Sequence, residues 1–323
     1  MKKLSIIIPV YNVERYVRAC LESVFRQGLN DFEFEVVLVD DGTKDDSFGM
    51  ISDIINIHSN IVVFEQDNQG LSVARNTGFS SAKGQYVLFL DSDDLLLDNT
   101  LGEILEQTMK SSADMGIADF VKLSDEDIQR GLFSEKKNID DIQLMSGHDF
   151  FLNEFNPQQC YVWRTLYRKE FLEDSNIRFI PHIYFEDVPF TTECYLNAKK
   201  CIKIPICFYV YRQRENSIVS SISLNKIKDF NVVISNLWLL YENNYYPSDI
   251  KNKLMDTIFV TFSIATWYII HDVNLLSKRK NYINDLKTKV PNLFFSHGPK
   301  QKLVSLLFKY IPSIYLKLRA LFK

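Results

Sequence analysis

Glycine is scarce in this chain, eleven among 323 residues, and the eleven form neither GxGxxG nor GxxxxGK. Rossmann dinucleotide loops and Walker-type phosphate loops need those glycines for close backbone approach, so both readings lose their basis. Cysteine is equally sparse. Cys20, Cys160, Cys194, Cys201 and Cys207 are odd in number and include no CxxC pair, so reduced, mostly buried thiols are expected rather than a disulfide framework or zinc site. Nine prolines exclude a collagen-like chain, and 46% hydrophobic residues with 24% charged exclude disorder. The longest uncharged run, 257–271, has 15 residues, short of the ~20 that span a bilayer. The N-terminal MKKLSIIIPVYN opens with two lysines, but its apolar run breaks at Pro9, too soon for a secretory signal. A cytoplasmic protein is expected.

Acidic side chains are missing altogether after Asp285. The formal net charge of -4 therefore hides two parts, -12 over the first 285 residues and +8 over the last 38. The whole chain offers nothing to nucleic acid. The segment 300–323 (KQKLVSLLFKYIPSIYLKLRALFK) mixes leucines and aromatics with lysines, the pattern of an interfacial helix on anionic lipid. A helix packed on the chain's own acidic body is the competing reading, and Pro312 interrupts either one.

What is present is a strand–helix alternation. Leu4 to Val10 is a β-branched run, as in a strand buried on both faces. Asn12 is expected to cap the helix in which Val13, Val17, Cys20, Leu21 and Val24 recur. Strands follow at Phe34–Val39, Ile61–Phe64, Tyr86–Leu90 and Met115–Val121, with helices near 47–57, 71–81 and 100–109 between them. Leu123 to Met145 reads as a surface excursion, and the pattern is helical from Leu224 onward. These signals predict an α/β fold with a mostly parallel sheet covered by helices on both faces. The expected division is a body, 1–222, with halves 1–121 and 122–222, and a helical C-terminal extension, 223–323.

Ligands of such sheets sit beyond the C-terminal strand ends. Four of those ends carry polar or acidic groups: Tyr11 and Asn12, Asp40 and Asp41, Asp67 and Asn68, Asp91 and Asp93. Asp-x-Asp at a strand end sets two hard oxygen ligands side by side, which suits Mg²⁺ or Mn²⁺ sharing a substrate's phosphates. Without a glycine-rich loop, phosphate would be held through that metal and through basic side chains such as Arg75. A diphosphate leaving group fits this combination. His58, His148, His182, His271 and His297 are scattered and are assigned to no metal.

The motifs SIIIPVYN (5–12), VDDGTKDDS (39–47), NQGLSVARNTG (68–78) and KGQYVLFLDSDD (83–94) come in this order, and the set resembles family 2 glycosyltransferases. FEDVPF (185–190) and FYVYRQRENSI (208–218) resemble the acceptor-side motifs of that family. The resemblance covers about residues 1–220 and implies a GT-A fold. It implies inverting transfer from a nucleotide-sugar donor, with UDP expected, to a hydroxyl of a glycan or lipid-linked glycan. It places Pro9 and Tyr11 at the nucleobase, Asp41 on a base N–H with Asp40 in support, and Arg75 near the nucleotide. Asp91 and Asp93 match the DxD, Asp93 as direct metal ligand and Asp91 nearer the ribose and sugar. Arg212 and Arg214 fall where a loop reaches the diphosphate.

Asp187 matches the catalytic base, with Glu186 and Trp163 toward the acceptor. Taken alone, Glu186 and Asp187 also read as helix N-terminal charge before Pro189. VWRTLYRKEF (162–171) departs from the Trp-Asn-Lys-Leu-Tyr common in relatives, with Arg164 and Thr165 in place of the Asn and Lys. A sugar-phosphate nucleotidyltransferase is the alternative enzyme, though it wants a basic, glycine-rich loop where Pro9 to Asn12 stand. A non-catalytic glycan- or nucleotide-binding module is the alternative without chemistry, and intact Asp41, Asp93 and Asp187 speak against it. An enzyme that sits in the cytoplasm, peripheral on the inner face of the plasma membrane, would combine all of these readings.

Overall fold

A computed structural model describes residues 2–131, 141–213, 224–271, 279–293, 295, 298–312 and 314–316. The chain forms two compact units. The first comprises Met1–Phe150, Tyr161–His182 and Glu193–Ser217, and the second Phe151–Cys160, Ile183–Thr192 and Ile218–Lys323.

The first unit is built on one sheet. Its strands are β1 (Leu4–Val10), β2 (Phe34–Asp40), β3 (Ile61–Glu65), β4 (Tyr86–Phe89), β5 (Leu95–Leu96), β6 (Met115–Ser124), β7 (Gln143–Met145), β8 (Thr165–Arg168) and β9 (Cys201–Gln213). They lie in the order β3-β2-β1-β4-β8-β6-β9-β5, with β7 also paired to β9. The expected α/β class holds. β3, β2, β1 and β4 run parallel, as do β6 and β9, while β8, β5 and β7 pair antiparallel. All seven residues of β1 are buried, as a strand flanked by two neighbours and covered on both faces requires.

The helices of the first half are α1 (Val17–Phe25), α2 (Ser52–Ile57), α3 (Leu71–Ser81), α4 (Leu101–Ser111) and α5 (Asp125–Gln129). Further on come α6 (Gly147–Asn153), α7 (Lys169–Asp174) and α8 (Asp187–Asn197). α3 lies close against β1 because Gly78 faces it: a Cβ there would stand 2.3 Å from the Ile7 side chain. All five cysteines are buried thiols.

Two expectations are corrected. Asn12 does not cap α1: its backbone is left-handed (φ 53°) and its side chain accepts from the Lys44 N–H at 2.9 Å. α1 starts only at Val17, and the N–H groups of residues 12, 13 and 14 ahead of it donate to the side chains of Thr43, Ser47 and Asp45. The segment 123–145 is not simply an excursion. β6 runs on to Ser124, a capping box in which Ser124 and Asp127 bond reciprocally starts α5, and β7 adds an edge strand.

The chain enters β4 from the far edge strand β3, so β1 is the strand on whose two sides the order reverses. The β1–β4 register ends at Ile7↔Phe89, and Pro9 lies beyond it, where its missing N–H breaks no bond to β4. Open α/β sheets bind their ligands beyond the strand ends at such a reversal.

The second unit is helical, with α9 (Leu224–Glu242), α10 (Ser248–His271), α11 (Arg279–Lys289) and α12 (Gly298–Tyr310). Ile234, Leu237, Ile258, Phe262, Leu286, Phe295 and Phe308 share its core. Among the described residues α10 is the one helix long and apolar enough to cross a bilayer. Its residues Met255, Ile258, Phe262, Ala265 and Ile269 recur at helical spacing and are buried in this core, so α10 reads as the central helix of the unit.

Candidate active site

The end of β2 is organised by one buried carboxylate. Asp41 accepts from the Gln66 side chain (2.7 Å) and the Gln69 N–H (2.8 Å) on Oδ1. Its Oδ2 accepts from the Asn68 side chain (3.2 Å) and the Gly70 N–H (2.9 Å). Four donors match the capacity of a carboxylate, so a nucleobase N–H would be a fifth. Gly42 (φ 70°) turns the chain here, where a Cβ would meet the Asn68 nitrogen at 2.8 Å. Asp40, half-buried, accepts from the Thr43 N–H at 2.8 Å. Tyr11 is exposed beside this turn, and Pro9 is buried in β1.

What Asp41 holds in place then places Arg75. The loop 66–70 feeds directly into α3, and Thr77 of that helix donates back to Gln66 at 2.7 Å. Arg75, buried on α3 over the Phe179 ring, donates to Asp91 Oδ1 at 2.6 Å. Asp91 stands at the end of β4, so the ends of β2 and β4 are tied through one helix.

Asp93 and Asp94 continue that turn. Asp94 is fully buried and accepts from the Tyr209 hydroxyl (2.7 Å) and the Arg212 backbone N–H (2.8 Å). Burial first, then the neighbouring Asp93 and Asp91, push its carboxyl well above the usual carboxylate range. Arg212 donates through Nε to the Asp93 carbonyl at 2.7 Å, pairs with Asp125, and lies over the Tyr16 ring. β9 is thus fastened to the Asp91–Asp94 turn by both main chain and side chain. Arg214 lies outside the described residues.

Among the described residues no group of three or more His, Cys, Asp and Glu is arranged to hold a metal ion alone. The donor set nevertheless fits a hard divalent ion. Asp91, whose Oδ1 is held by Arg75, and Asp93 stand in one turn as hard oxygen donors, and Mg²⁺ or Mn²⁺ commonly takes one or two carboxylates plus waters and phosphates.

Trp163 is buried, stacked on Tyr209 (ring centroids 4.0 Å) and Tyr161 (4.6 Å), with Phe120 edge-on at 5.0 Å. This stack backs the Tyr209–Asp94 bond. Arg164, one of the two departures from the common motif, donates to the Ala118 carbonyl at 3.3 Å. Thr165, the other, is buried in β8.

Glu186 and Asp187 belong to the second unit, Glu186 buried and Asp187 half-buried as the first residue of α8. The Asp187 carbonyl accepts from the Thr191 hydroxyl at 2.7 Å. Phe185, just before the pair, is held in the left-handed region (φ 62°), where a bulky side chain is strained. Its ring stacks on Phe230 of α9 at 4.0 Å, and the adjacent Tyr184 N–H donates to Asp229 at 3.1 Å. Strain held by two anchors beside an acidic pair marks a position worth its cost.

The structure therefore brings Asp40, Asp41, Arg75, Asp91, Asp93 and Arg212 to the strand ends of the first unit. Sequence reasoning missed Asp94, Tyr209 and Gln66. The third acid of DSDD and the alternation of Tyr209 and Tyr211 along β9 were the available signals for the first two. Gln66 had none.

The profile of Glycosyl transferase family 2 matches residues 5–174. An uncharacterized glycosyltransferase, EpsJ of Bacillus subtilis, is 34% identical over 225 residues, 67% of this chain and 62% of that protein. An uncharacterized glycosyltransferase of Haemophilus influenzae is 30% identical over 233 residues, 71% of this chain and 84% of that protein. A poly(ribitol-phosphate) beta-glucosyltransferase of Bacillus spizizenii is 30% identical, and the match covers 61% of this chain and 30% of that protein's length. Against two of these three, EpsJ and the glucosyltransferase, the chain spans less than two thirds of the relative. Among solved structures, S. aureus TarS 1–349 in complex with UDP-GlcNAc superposes with a TM-score of 0.75 at 20% identity, covering 98% of this chain and 90% of that one. At that identity the likeness is one of fold.

Proposed function

The chain belongs to glycosyl transferase family 2, and on that premise we propose that it moves a sugar from a UDP-sugar to a hydroxyl of a glycan or lipid-linked glycan, with inversion. The observation that carries this reading is the cluster of Asp91, Asp93 and Asp94 at the end of β4, fastened by Arg75 and Arg212 where the strand order reverses. The UDP-GlcNAc complex of TarS and the glucosyltransferase relative support the donor class. Pro9, Tyr11 and the Asp40–Asp41 turn would wall the nucleobase, and Arg75 would stand near the nucleotide.

Mn²⁺ or Mg²⁺, held by Asp93 and Asp91, would supply charge neutralisation at the leaving diphosphate. A fold neighbour, the Pyrobaculum calidifontis mannosyltransferase, is in complex with GDP-Man and Mn²⁺ (TM-score 0.58). Asp187 would accept the proton of the acceptor hydroxyl as its oxygen bonds the anomeric carbon and the bond to diphosphate breaks. No covalent intermediate is needed. Glu186 would stand toward the acceptor, whereas Trp163, buried with Tyr209 and Tyr161 on its faces, offers no ring face to a sugar and would support the Tyr209–Asp94 bond instead. Arg212, fixed as it is, would act by holding the acidic turn, and Arg214 would reach the diphosphate. The body, 1–222, would do the chemistry in the cytoplasm, and the extension, 223–323, would keep it at the inner face of the membrane.

A thermal-shift screen tests the donor and metal together. A ligand at about 100 times its Kd stabilises by about 2.7 kcal/mol, or roughly 5–10 °C for a domain of this size. UDP-sugars with Mn²⁺ should give such a shift, and Asp93→Ala should remove its metal-dependent part. Equal shifts with and without metal would count against the site.

A further inference from the structure

α12 has two apolar faces where a helix on a water-facing surface has one. The inner face is committed. Ser305 and Phe308 are buried in the core of the second unit, with the Phe308 ring 4.9 Å from that of Phe262 and the Ser305 hydroxyl accepting from the Phe295 N–H at 2.6 Å. At about 100° per residue, Leu303, Leu306 and Tyr310 fall within about 60° of arc on the opposite side. They are 57%, 48% and 69% exposed. Ile311 and Ile314, also exposed, extend the apolar surface past the helix end.

The charge that α12 itself carries has one sign. Lys302 and Lys309 border it on one side and Lys300 on the other, all exposed, and no acidic residue follows Asp285. We propose that the outer face of α12 is a docking surface for an anionic lipid bilayer. The helix would lie along the interface with Leu303, Leu306 and Tyr310 among the upper acyl chains and the lysines at the phosphates. A second copy of the chain fits this surface worse. A two-fold contact between α12 helices would set the lysine rims against themselves, since α12 carries no carboxylate of its own. Anionic headgroups supply the missing charge. The inference deepens the membrane placement proposed above and rests on it, whereas the transfer chemistry is independent of it.

Flotation of the full chain with phosphatidylcholine vesicles, with and without phosphatidylglycerol, tests the surface. Wild type should float with the anionic vesicles, and added salt should weaken it. The triple variant Leu303→Gln, Leu306→Gln, Tyr310→Gln should lose about tenfold or more of the bound fraction, as should Lys300→Gln, Lys302→Gln, Lys309→Gln. Both should keep the wild-type Tm, because the substituted side chains face outward. Equal flotation of wild type and variants would overturn the proposal. So would a wild type that ignores vesicles but forms a dimer broken by the leucine variant. Wild-type flotation without sugar-nucleotide turnover would support this surface and count against the transferase reading alone, so the two failures are distinguishable.

Discussion

Asp187→Asn is expected to lower sugar transfer by about 10²–10⁴-fold, the usual worth of a positioned general base, while UDP binding stays within a few-fold of wild type. The amide keeps the size of the carboxylate and still suits the first turn of α8, where Asp187 stands. It cannot take the acceptor's proton at neutral pH. Stability should therefore change little, by less than about 1 kcal/mol for a helix-terminal charge. Transfer assays with matched donor titrations check the split. Retained transfer would return Asp187 to the plainer role of N-terminal helix charge, which its position also satisfies. The strained Phe185, stacked on Phe230, favours the functional reading, since a capping charge alone gives no reason for a left-handed phenylalanine two residues earlier.

Asp41→Ala is expected to have the largest effect on stability. Four donors converge on that buried carboxylate, and bonds to a charged acceptor contribute roughly 1.5–3 kcal/mol each. Partial re-solvation of residues 66–70 offsets some of this, leaving a net loss of about 3–5 kcal/mol, comparable to breaking other buried charged contacts. Tm should drop by about 10 °C. Because the same loop starts α3, and α3 carries Arg75 to Asp91, UDP binding should weaken in parallel. Asp41→Asn, which keeps one acceptor oxygen, should fall between wild type and the alanine variant. Thermal melts of the three proteins check this series. An unchanged Tm with lost nucleotide binding would instead make Asp41 a ligand of the base and nothing more.

The fold was legible where burial leaves no choice. β1 and β2 are mostly apolar because both faces are covered, with buried Ser5 and Glu35 bonded to each other at 2.6 Å, and α3 begins at Leu71 and ends at Ser81 as the strand–helix alternation predicts. The acidic strand ends were legible for the same reason, since once the strands are placed the rim follows. Long-range side-chain capping was not. Asn12 has the composition of a cap, but α1 starts five residues later, and the N–H groups of residues 12–14 bond to Thr43, Ser47 and Asp45, some 30 residues away. β8 enters antiparallel between β4 and β6, from a segment whose local pattern says nothing of its neighbours. Asp94 was hidden because a third acid in a turn looks solvated until Tyr209, from 115 residues on, is seen to cover it.

The central claim is that the acidic turn after β4 supports chemistry on a sugar nucleotide. Release of UDP from a panel of UDP-sugars by the wild-type chain, with Mn²⁺ and with a chelator, tests it most directly. The account predicts release that needs the metal, returns when Mn²⁺ is restored, and is lost in Asp93→Ala. The absence of both metal-stimulated release and metal-linked UDP binding, in a protein that melts cooperatively, would contradict it.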